Sequence, residues 1–204
     1  MPRNIYRLSD GTVVPGVTTV CNQLDKPGLL DWAWRCGVQG KDLREERDSA
    51  GVIGTNVHDM ISGYLASEEV AAVGEIEERC FGKFLKWTEG KFHPWLVEIP
   101  LVSEKLKFGG QPDYYGEIDG ALEIVDFKTG TFDHKNRCFY ETVRYQLAGY
   151  KLLLEEHGYK VERCRGVYLP KDNGEVYEEV MDDLRKETRI FKNLLKVYYD
   201  RRGE

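Results

Sequence analysis

Hydrophobic and polar positions follow a helical period in the first part of the chain, a strand period in the middle and a helical one again near the end. Helical spacing runs from about 27 to 47, from about 55 to 65 and from about 75 to 90, the last with Phe81, Phe84, Leu85 and Trp87 for its apolar side. The period then shortens to two. Segments 95–102, 110–118 and 121–127 read as three strands, the last two joined by Asp119-Gly120, a strong two-residue hairpin signal. A helix over about 138–157 carries Val143, Leu147, Tyr150 and Leu154 on one face and stops at Gly158. Strands at 165–169 and 175–180 and a helix at 183–201 complete the pattern, and a small hairpin over 6–14 turns at Asp10-Gly11. Helices, a meander, a helix, a strand and a helix predict an α/β fold: a mixed central sheet flanked by helices, with an N-terminal helical extension.

No repeat, low-complexity tract or Pro/Ser-rich linker interrupts the 204 residues, which read as a single domain, 1–204. Within it, 1–50 forms the N-terminal hairpin and helices and 51–204 the core. Hydrophobic residues make up 41% of the chain and aromatic ones 12%, enough to build that core and to exclude wholesale disorder. The formal charge of −6 argues at first against a polyanionic partner. It is unevenly placed, however. Segments 68–78 and 172–183 carry acids and no base, and the remainder of the chain is net basic, so the charge balance alone does not decide the partner. Five cysteines, odd in number and without a Cys-x-x-Cys pair, form neither a disulfide framework nor a zinc-ribbon pattern and suit a reducing compartment. The start of the chain lacks a signal-peptide layout, and no apolar run approaches the roughly 20 residues that span a bilayer. A soluble cytoplasmic protein is expected.

Charge changes the picture most in the segment from Phe108-Gly-Gly-Gln-Pro-Asp113 to Ile124-Val-Asp126-Phe-Lys128-Thr-Gly130. With Asp119-Gly120 as the loop, Ile118 faces Ala121, and counting outward sets Asp113 opposite Asp126 on one sheet face. Lys128, two residues on, emerges on that same face. Opposed like charges destabilise a sheet, and buried ions need partners or a metal. A divalent cation bridging both carboxylates would remove the conflict, and hard oxygen ligands point to Mg²⁺ or Mn²⁺. The plainer alternative is an Asp126–Lys128 ion pair with Asp113 as a turn residue after Pro112.

Two further places contribute. Gly54-Thr55-Asn56-Val57-His58 reads as a helix start, with Thr55 as N-cap and His58 in the first turn, aligned with Ile61, Ser62 and Leu65. A lone histidine is more often a satisfied structural residue. Gln146 and Tyr150 lie four apart and share a helix face, with a surface amide and a core tyrosine as the ordinary alternatives.

Taken in order, these residues resemble the RecB-type branch of the PD-(D/E)XK nucleases. That branch has a histidine on an early helix, a Gly-x-x-Asp element, a strand with Asp-x-Lys and a helix with Gln-x-x-x-Tyr. Here the corresponding residues are His58, Gly110-Gln-Pro-Asp113, Asp126-Phe-Lys128 and Gln146-Leu-Ala-Gly-Tyr150. The opening Val14-Pro-Gly-Val-Thr-Thr-Val20 and Leu29-Leu-Asp-Trp32 look like stand-alone phage and bacterial members, and are similar to the mitochondrial genome maintenance exonuclease. The resemblance spans about 12 to 155 and implies a restriction-endonuclease-like core. It also implies Asp113, Asp126, the Phe127 carbonyl and His58 as ligands of one or two Mg²⁺ or Mn²⁺ ions. Lys128 would orient or activate the attacking water and steady the transition state, with Gln146, Tyr150 and Thr129 in support. Glu98 on the preceding strand is a weaker candidate for the same pocket, the alternative being a solvated strand acid. Many relatives also hold an iron–sulfur cluster on four cysteines. Here the downstream region offers only Cys164, and no cluster is expected.

Phosphodiester hydrolysis needs a deprotonated water and compensation of charge on the phosphate oxygens, which Mg²⁺ supplies together with a mobile lysine. The expected product carries a 5′-phosphate. Lys135, Arg137 and Arg144 with His134, Phe139 and Tyr140 place cations and aromatics beside the site, a combination suited to single strands, the alternative being a solvated helix start with core aromatics. Trp32, Trp34 and Arg35 either line a channel or pack a helix core. The expected function is a DNA exonuclease preferring single strands or ends, in recombination, repair or replication, with a separate helicase or recombination protein as partner. A structure-selective endonuclease of the same fold and a catalytically silent DNA-binding module are the alternatives. Oligomeric state is not legible.

Overall fold

A computed structural model describes residues 4–25, 27–71, 73–89, 91–129, 132–133 and 138–203. The chain opens with a two-strand hairpin, β1 (Tyr6–Arg7) and β2 (Val13–Val14), then α1 (Val17–Cys21), α2 (Pro27–Val38), α3 (Leu43–Leu65) and α4 (Glu75–Thr88). Strands β3 (Phe92–Val97), β4 (Leu101–Ser103), β5 (Phe108–Gly110), β6 (Tyr114–Ile118) and β7 (Ala121–Lys128) follow. After the short β8 (Phe132–Asp133) and β9 (Cys138–Phe139) come α5 (Glu141–Glu156), β10 (Arg163–Tyr168), β11 (Tyr177–Met181) and α6 (Arg185–Asp200). A five-stranded sheet in the order β11-β10-β7-β6-β3 forms the centre. It is mixed, because α5 carries the chain over to lay β10 parallel to β7 while the other neighbours run antiparallel.

The hairpin register is the one that the Asp-Gly turn predicts. Ile118 pairs with Ala121 and the ladder runs to Tyr114 with Val125. Asp119 and Gly120 both have positive φ, 49° and 79°, as a tight two-residue hairpin of matching twist requires. Val125 and Phe127 face a core layer with Val57, Ile61, Phe84 and Val167 beneath α3 and α4. Ile124 on the opposite face packs with Val17, Tyr115, Leu147, Leu153 and Phe191 beneath α1, α5 and α6. Strand β7 is therefore covered on both sides, which accounts for its largely apolar run. Phe127 is fully buried and meets Phe84 edge-on at 5.4 Å, and burying such a side chain contributes roughly 1.5–3 kcal/mol.

The helices before the sheet differ from the sequence pattern. The break expected near 48–54 is absent, since α3 runs unbroken from Leu43 to Leu65 and the interruption falls at 39–42. Asp42 is the N-cap, its carboxylate accepting from the N–H groups of Arg44 (2.7 Å) and Glu45 (3.2 Å). Thr55 is thus no cap, and His58 sits well inside a helix, not in its first turn. Gly51 and Gly54 each cost helix stability of about 1 kcal/mol relative to Ala, which made the stretch read as a loop. Burial of Val57, Met60, Ile61 and Leu65 on the same helix outweighs that cost.

The strands expected at 95–102 and 110–118 are each split. The first is interrupted at Glu98, whose φ is +48°. The second ends as β5 at Gly110 and resumes as β6 at Tyr114, with Pro112, which has no N–H for a ladder, in between. Both interruptions fall at the same end of the sheet, where the charged residues gather. Helix α5 starts at Glu141, after β9, and ends before Gly158, whose φ of +85° suits a helix exit.

Candidate active site

Strand β7 delivers Asp126 and Lys128 to one face at its C-terminal end, with Lys128 Nζ 2.5 Å from Asp126 Oδ2. Asp113 lies just before β6, opposite Asp126 by continuation of the ladder. Its Oδ2 accepts the Phe127 N–H at 2.7 Å and its Oδ1 lies 3.5 Å from His58 Nδ1. Glu98 approaches from the other side. Its N–H donates to the Asp113 carbonyl at 3.3 Å, and its Oε2 accepts from Gln111 Nε2 at 3.4 Å. His58, Glu98 and Asp113 each offer one ligand atom within 4.8 Å of one another. The left-handed backbone of Glu98, a conformation that costs a non-glycine residue about 1–3 kcal/mol, turns its carboxylate into this trio. An open cleft of about 570 Å³ has His58, Glu98, Asp113, Lys128, Thr129 and Tyr150 in its wall. A second depression, lined by Thr19, Asn22, Gln23, Tyr198, Arg201 and Arg202, contains no carboxylate, thiol or imidazole.

Burial dominates the electrostatics. It pushes Asp126 up to about 6, with Lys128 opposing and Asp113 adding to the rise. Asp113 is driven upward by burial as well, but His58 and Lys128 together hold it below the usual carboxylate range. Burial lowers His58, and the adjacent Asp113 reverses this, so the imidazole ends above its ordinary value. Lys128 behaves alike: burial alone would lower it, and Asp126 and Asp113 raise it. Glu98 is raised by burial and by Asp113. Asp126 has Lys128 as its charged partner. Its Oδ2 is buried and, despite the close ammonium, receives no well-aligned hydrogen bond among the described residues. The carboxylates of Asp126, Asp113 and Glu98 with one imidazole nitrogen are a donor set that fits a hard divalent cation. The Phe127 carbonyl lies on the strand between Asp126 and Lys128.

Most of the remaining expected residues surround this point. Tyr150 is 6% exposed, and its phenol pKa is raised well above the ordinary value by burial and by Asp126 and Asp113. Gln146 Nε2 donates to Thr18 Oγ1 at 3.1 Å, and Thr18 itself lines the cleft. Thr129 is buried at the cleft wall. Arg144 is not brought there: its guanidinium pairs with Glu179 of β11 at 2.5 Å. Arg137, with His134 and Lys135, lies outside the described residues. Phe139 packs into the core, whereas Tyr140 is exposed. Trp34 is 70% exposed on α2, and Trp32 is half-buried.

Sequence reasoning missed Thr18, Asn4, Tyr6, Gln111 and Lys171, all in the cleft wall. For Lys171 a signal existed. It follows Tyr168-Leu-Pro at the end of a strand, but its relevance depends on β10 lying parallel to β7.

The sequence profile of the PD-(D/E)XK nuclease superfamily matches residues 67–200. The chain belongs to the PD-(D/E)XK nuclease superfamily. The matched span includes Glu98, Pro112-Asp113, Asp126-Phe127-Lys128, Gln146 and Tyr150 while leaving His58 outside. As a PD-(D/E)XK protein its mixed, helix-flanked sheet is restriction-endonuclease-like, as expected. Solved structures of similar shape include a Eubacterium rectale protein provisionally named an exonuclease, with 15% identity, a TM-score of 0.48, and coverage of 73% of this chain and 65% of that one. Another is SSO0001, with 16% identity, a TM-score of 0.37, and coverage of 58% of this chain and 56% of that one. The chain thus spans less than two thirds of the length of either. No curated protein matches the chain. Among the described residues no helix is long and apolar enough to cross a membrane.

Proposed function

We propose that this PD-(D/E)XK protein, acting as one domain over 1–204, is a metal-dependent deoxyribonuclease that removes nucleotides from single strands or DNA ends. The observation that carries this is the meeting of His58, Glu98, Asp113 and Lys128 in the wall of one open cleft, with the buried Asp126 paired to Lys128 behind it. His58, Glu98, Asp113, Asp126 and the Phe127 carbonyl are the groups that would hold Mg²⁺ or Mn²⁺. A bound ion would lower the pKa of a coordinated water and offset charge on the phosphate oxygens. Lys128, kept cationic by Asp126, donates hydrogen bonds to a non-bridging phosphate oxygen and orients the water for attack on phosphorus. As that P–O bond forms, the bond to the 3′-oxygen breaks and the oxygen takes up a proton, leaving a 3′-hydroxyl and a 5′-phosphate. Tyr150 and Gln146 brace the wall through Thr18, and Thr129 lies beside the reacting lysine.

A single-strand preference is supported by Lys135, Arg137 and the exposed Tyr140, which follow the site strand in the sequence. Work in recombination, repair or replication beside a separate helicase, in a bacterial or phage-infected cytoplasm, fits an enzyme with buried thiols at Cys36, Cys80 and Cys164. Digestion of 5′- and 3′-labelled linear DNA, single- and double-stranded, with Mg²⁺ or Mn²⁺ tests the proposal. Expected are metal-dependent loss of nucleotides from ends, sparing of closed circles and loss of activity in folded Lys128→Ala. Efficient cutting of circles would favour the structure-selective endonuclease, and inertness on all DNA with both metals would reject the enzyme.

A further inference from the structure

We propose that Lys171 binds a DNA phosphate in the cleft, gripping a phosphodiester next to the one being cut. The inference rests on the nuclease reading and names a substrate contact that the sequence motifs leave out. Strand β10 lies parallel to β7 with Tyr168 opposite Lys128, so both strands end at the same sheet edge. The Leu169 N–H donates to the Lys128 carbonyl at 2.8 Å, and Pro170 then directs the chain so that Lys171 joins His58, Asp113 and Lys128 in the cleft wall.

The segment is held firmly from behind by α4. Lys83 Nζ donates to the Pro170 carbonyl at 2.8 Å and also to that of Asp172, and Arg79 Nη1 donates to the Lys171 carbonyl at 3.0 Å. The backbone that presents Lys171 is therefore fixed independently of its side chain.

The ammonium has little to hold it. Its one hydrogen bond, to the Ala50 carbonyl of α3, is 3.4 Å long, and it forms no ion pair among the described residues. Partial burial lowers its pKa, a cost that the nearby Cys80 and Glu77 only partly offset. A half-desolvated cation without a counter-ion is poised to receive one. Across the cleft mouth α3 presents Ala50, Gly51 and Gly54, and a Cβ added at Gly51 would meet nothing within 4 Å. The surface beside Gly51 is open, so a phosphate of a strand lying across the cleft can reach the Lys171 ammonium in place of its long contact to Ala50. A compact point charge suits that contact.

The test uses the full chain, fluorescein-labelled single-stranded DNA, and Lys171→Ala and Lys171→Arg variants. Binding is measured by anisotropy in Ca²⁺ across a salt series, and cleavage in Mn²⁺ on substrates carrying one neutral methylphosphonate at successive positions. Expected for Lys171→Ala are about tenfold weaker binding, a salt slope shallower by about 0.7, and unchanged Tm and Mn²⁺ affinity, with Lys171→Arg recovering most of the loss. One methylphosphonate position should impair wild type and leave Lys171→Ala no worse. A variant that cuts and binds like wild type with the same slope overturns this inference alone, as does a loss traced to lowered Tm and not rescued by Arg. A wild type that neither binds nor cuts DNA overturns the nuclease reading as well.

Discussion

The Phe127 N–H donates to Asp113 Oδ2 at 2.7 Å, tying the residue before β6 to the C-terminal end of β7 outside the regular ladder. That bond fixes one carboxylate oxygen and leaves Oδ1 facing His58. A side chain thus replaces the next ladder contact, and the acid is oriented before any ligand arrives. Asp113→Asn keeps an acceptor for Phe127 and loses the charge. We expect the variant to fold, with Tm close to wild type by calorimetry, and to lose at least about 100-fold in cleavage rate. Near-normal turnover would contradict the role given to Asp113.

Asp126 should make metal binding pH-dependent. Its folded-state pKa of about 6 stands above the ordinary carboxylate value, so below pH 6 a proton competes with the metal. His58, also raised, competes in the same direction, because a protonated imidazole is no ligand. Mn²⁺ affinity measured by isothermal titration calorimetry should be nearly level well above pH 6 and fall steeply below it. In the metal-free protein the sign for stability is opposite. A raised carboxylate pKa favours the folded state below about pH 4, and that contribution is lost as pH rises through about 6. Affinity unchanged down to pH 5 would remove Asp126 from the ligand set.

Glu98 offers a trade between strain and chemistry. Glu98→Gly relieves a left-handed residue and removes a carboxylate from the trio with His58 and Asp113. Glycine's extra freedom in the unfolded chain offsets part of the relief, so stability should stay level or rise by up to about 1 kcal/mol in urea titrations. Mn²⁺ affinity should drop by about 10- to 100-fold. A clear loss of stability with unaltered metal affinity would make Glu98 structural.

Glu123 supplies the contrasting case. It is fully buried on the face of β7 away from the cleft, where its carboxylate meets Arg163 at 2.6 Å and Arg165 at 2.8 Å. Glu123→Ala leaves the buried Arg165 guanidinium with Glu178 alone and should cost about 3 kcal/mol. The expected signature is a large fall in Tm with Mn²⁺ affinity retained below the new transition. If metal affinity falls and Tm does not, the division between structural and reactive charge is misplaced.

What the sequence made legible was local. Asp119-Gly120 set a register, and the register set Asp113 and Asp126 together with Lys128. Helix α3 was misread because Gly51 and Gly54 weaken the helical signal, while the contacts that stabilise them come from the sheet and α4. Glu98 could be weighed only weakly, since nothing local marks a glutamate for positive φ. Lys171 needed the pairing of β10 with β7, strands separated by all of α5. The acidic stretches, too, change meaning once partners appear: Glu178 and Glu179 are engaged by Arg165 and Arg144, so part of the formal charge is neutralised internally.

The proposed ligand groups come from four separated parts of the chain: His58 from α3, Glu98 from the bend after β3, Asp113 from the approach to β6, and Asp126 from β7. No short segment holds two opposing sides of the cleft, and the second face and second edge of β7 are covered only once α5 and β10 have been made. A chain still emerging from the ribosome therefore has the residues without the site. On this reading, the complete site forms only once synthesis has passed Tyr168 and the sheet has closed around β7.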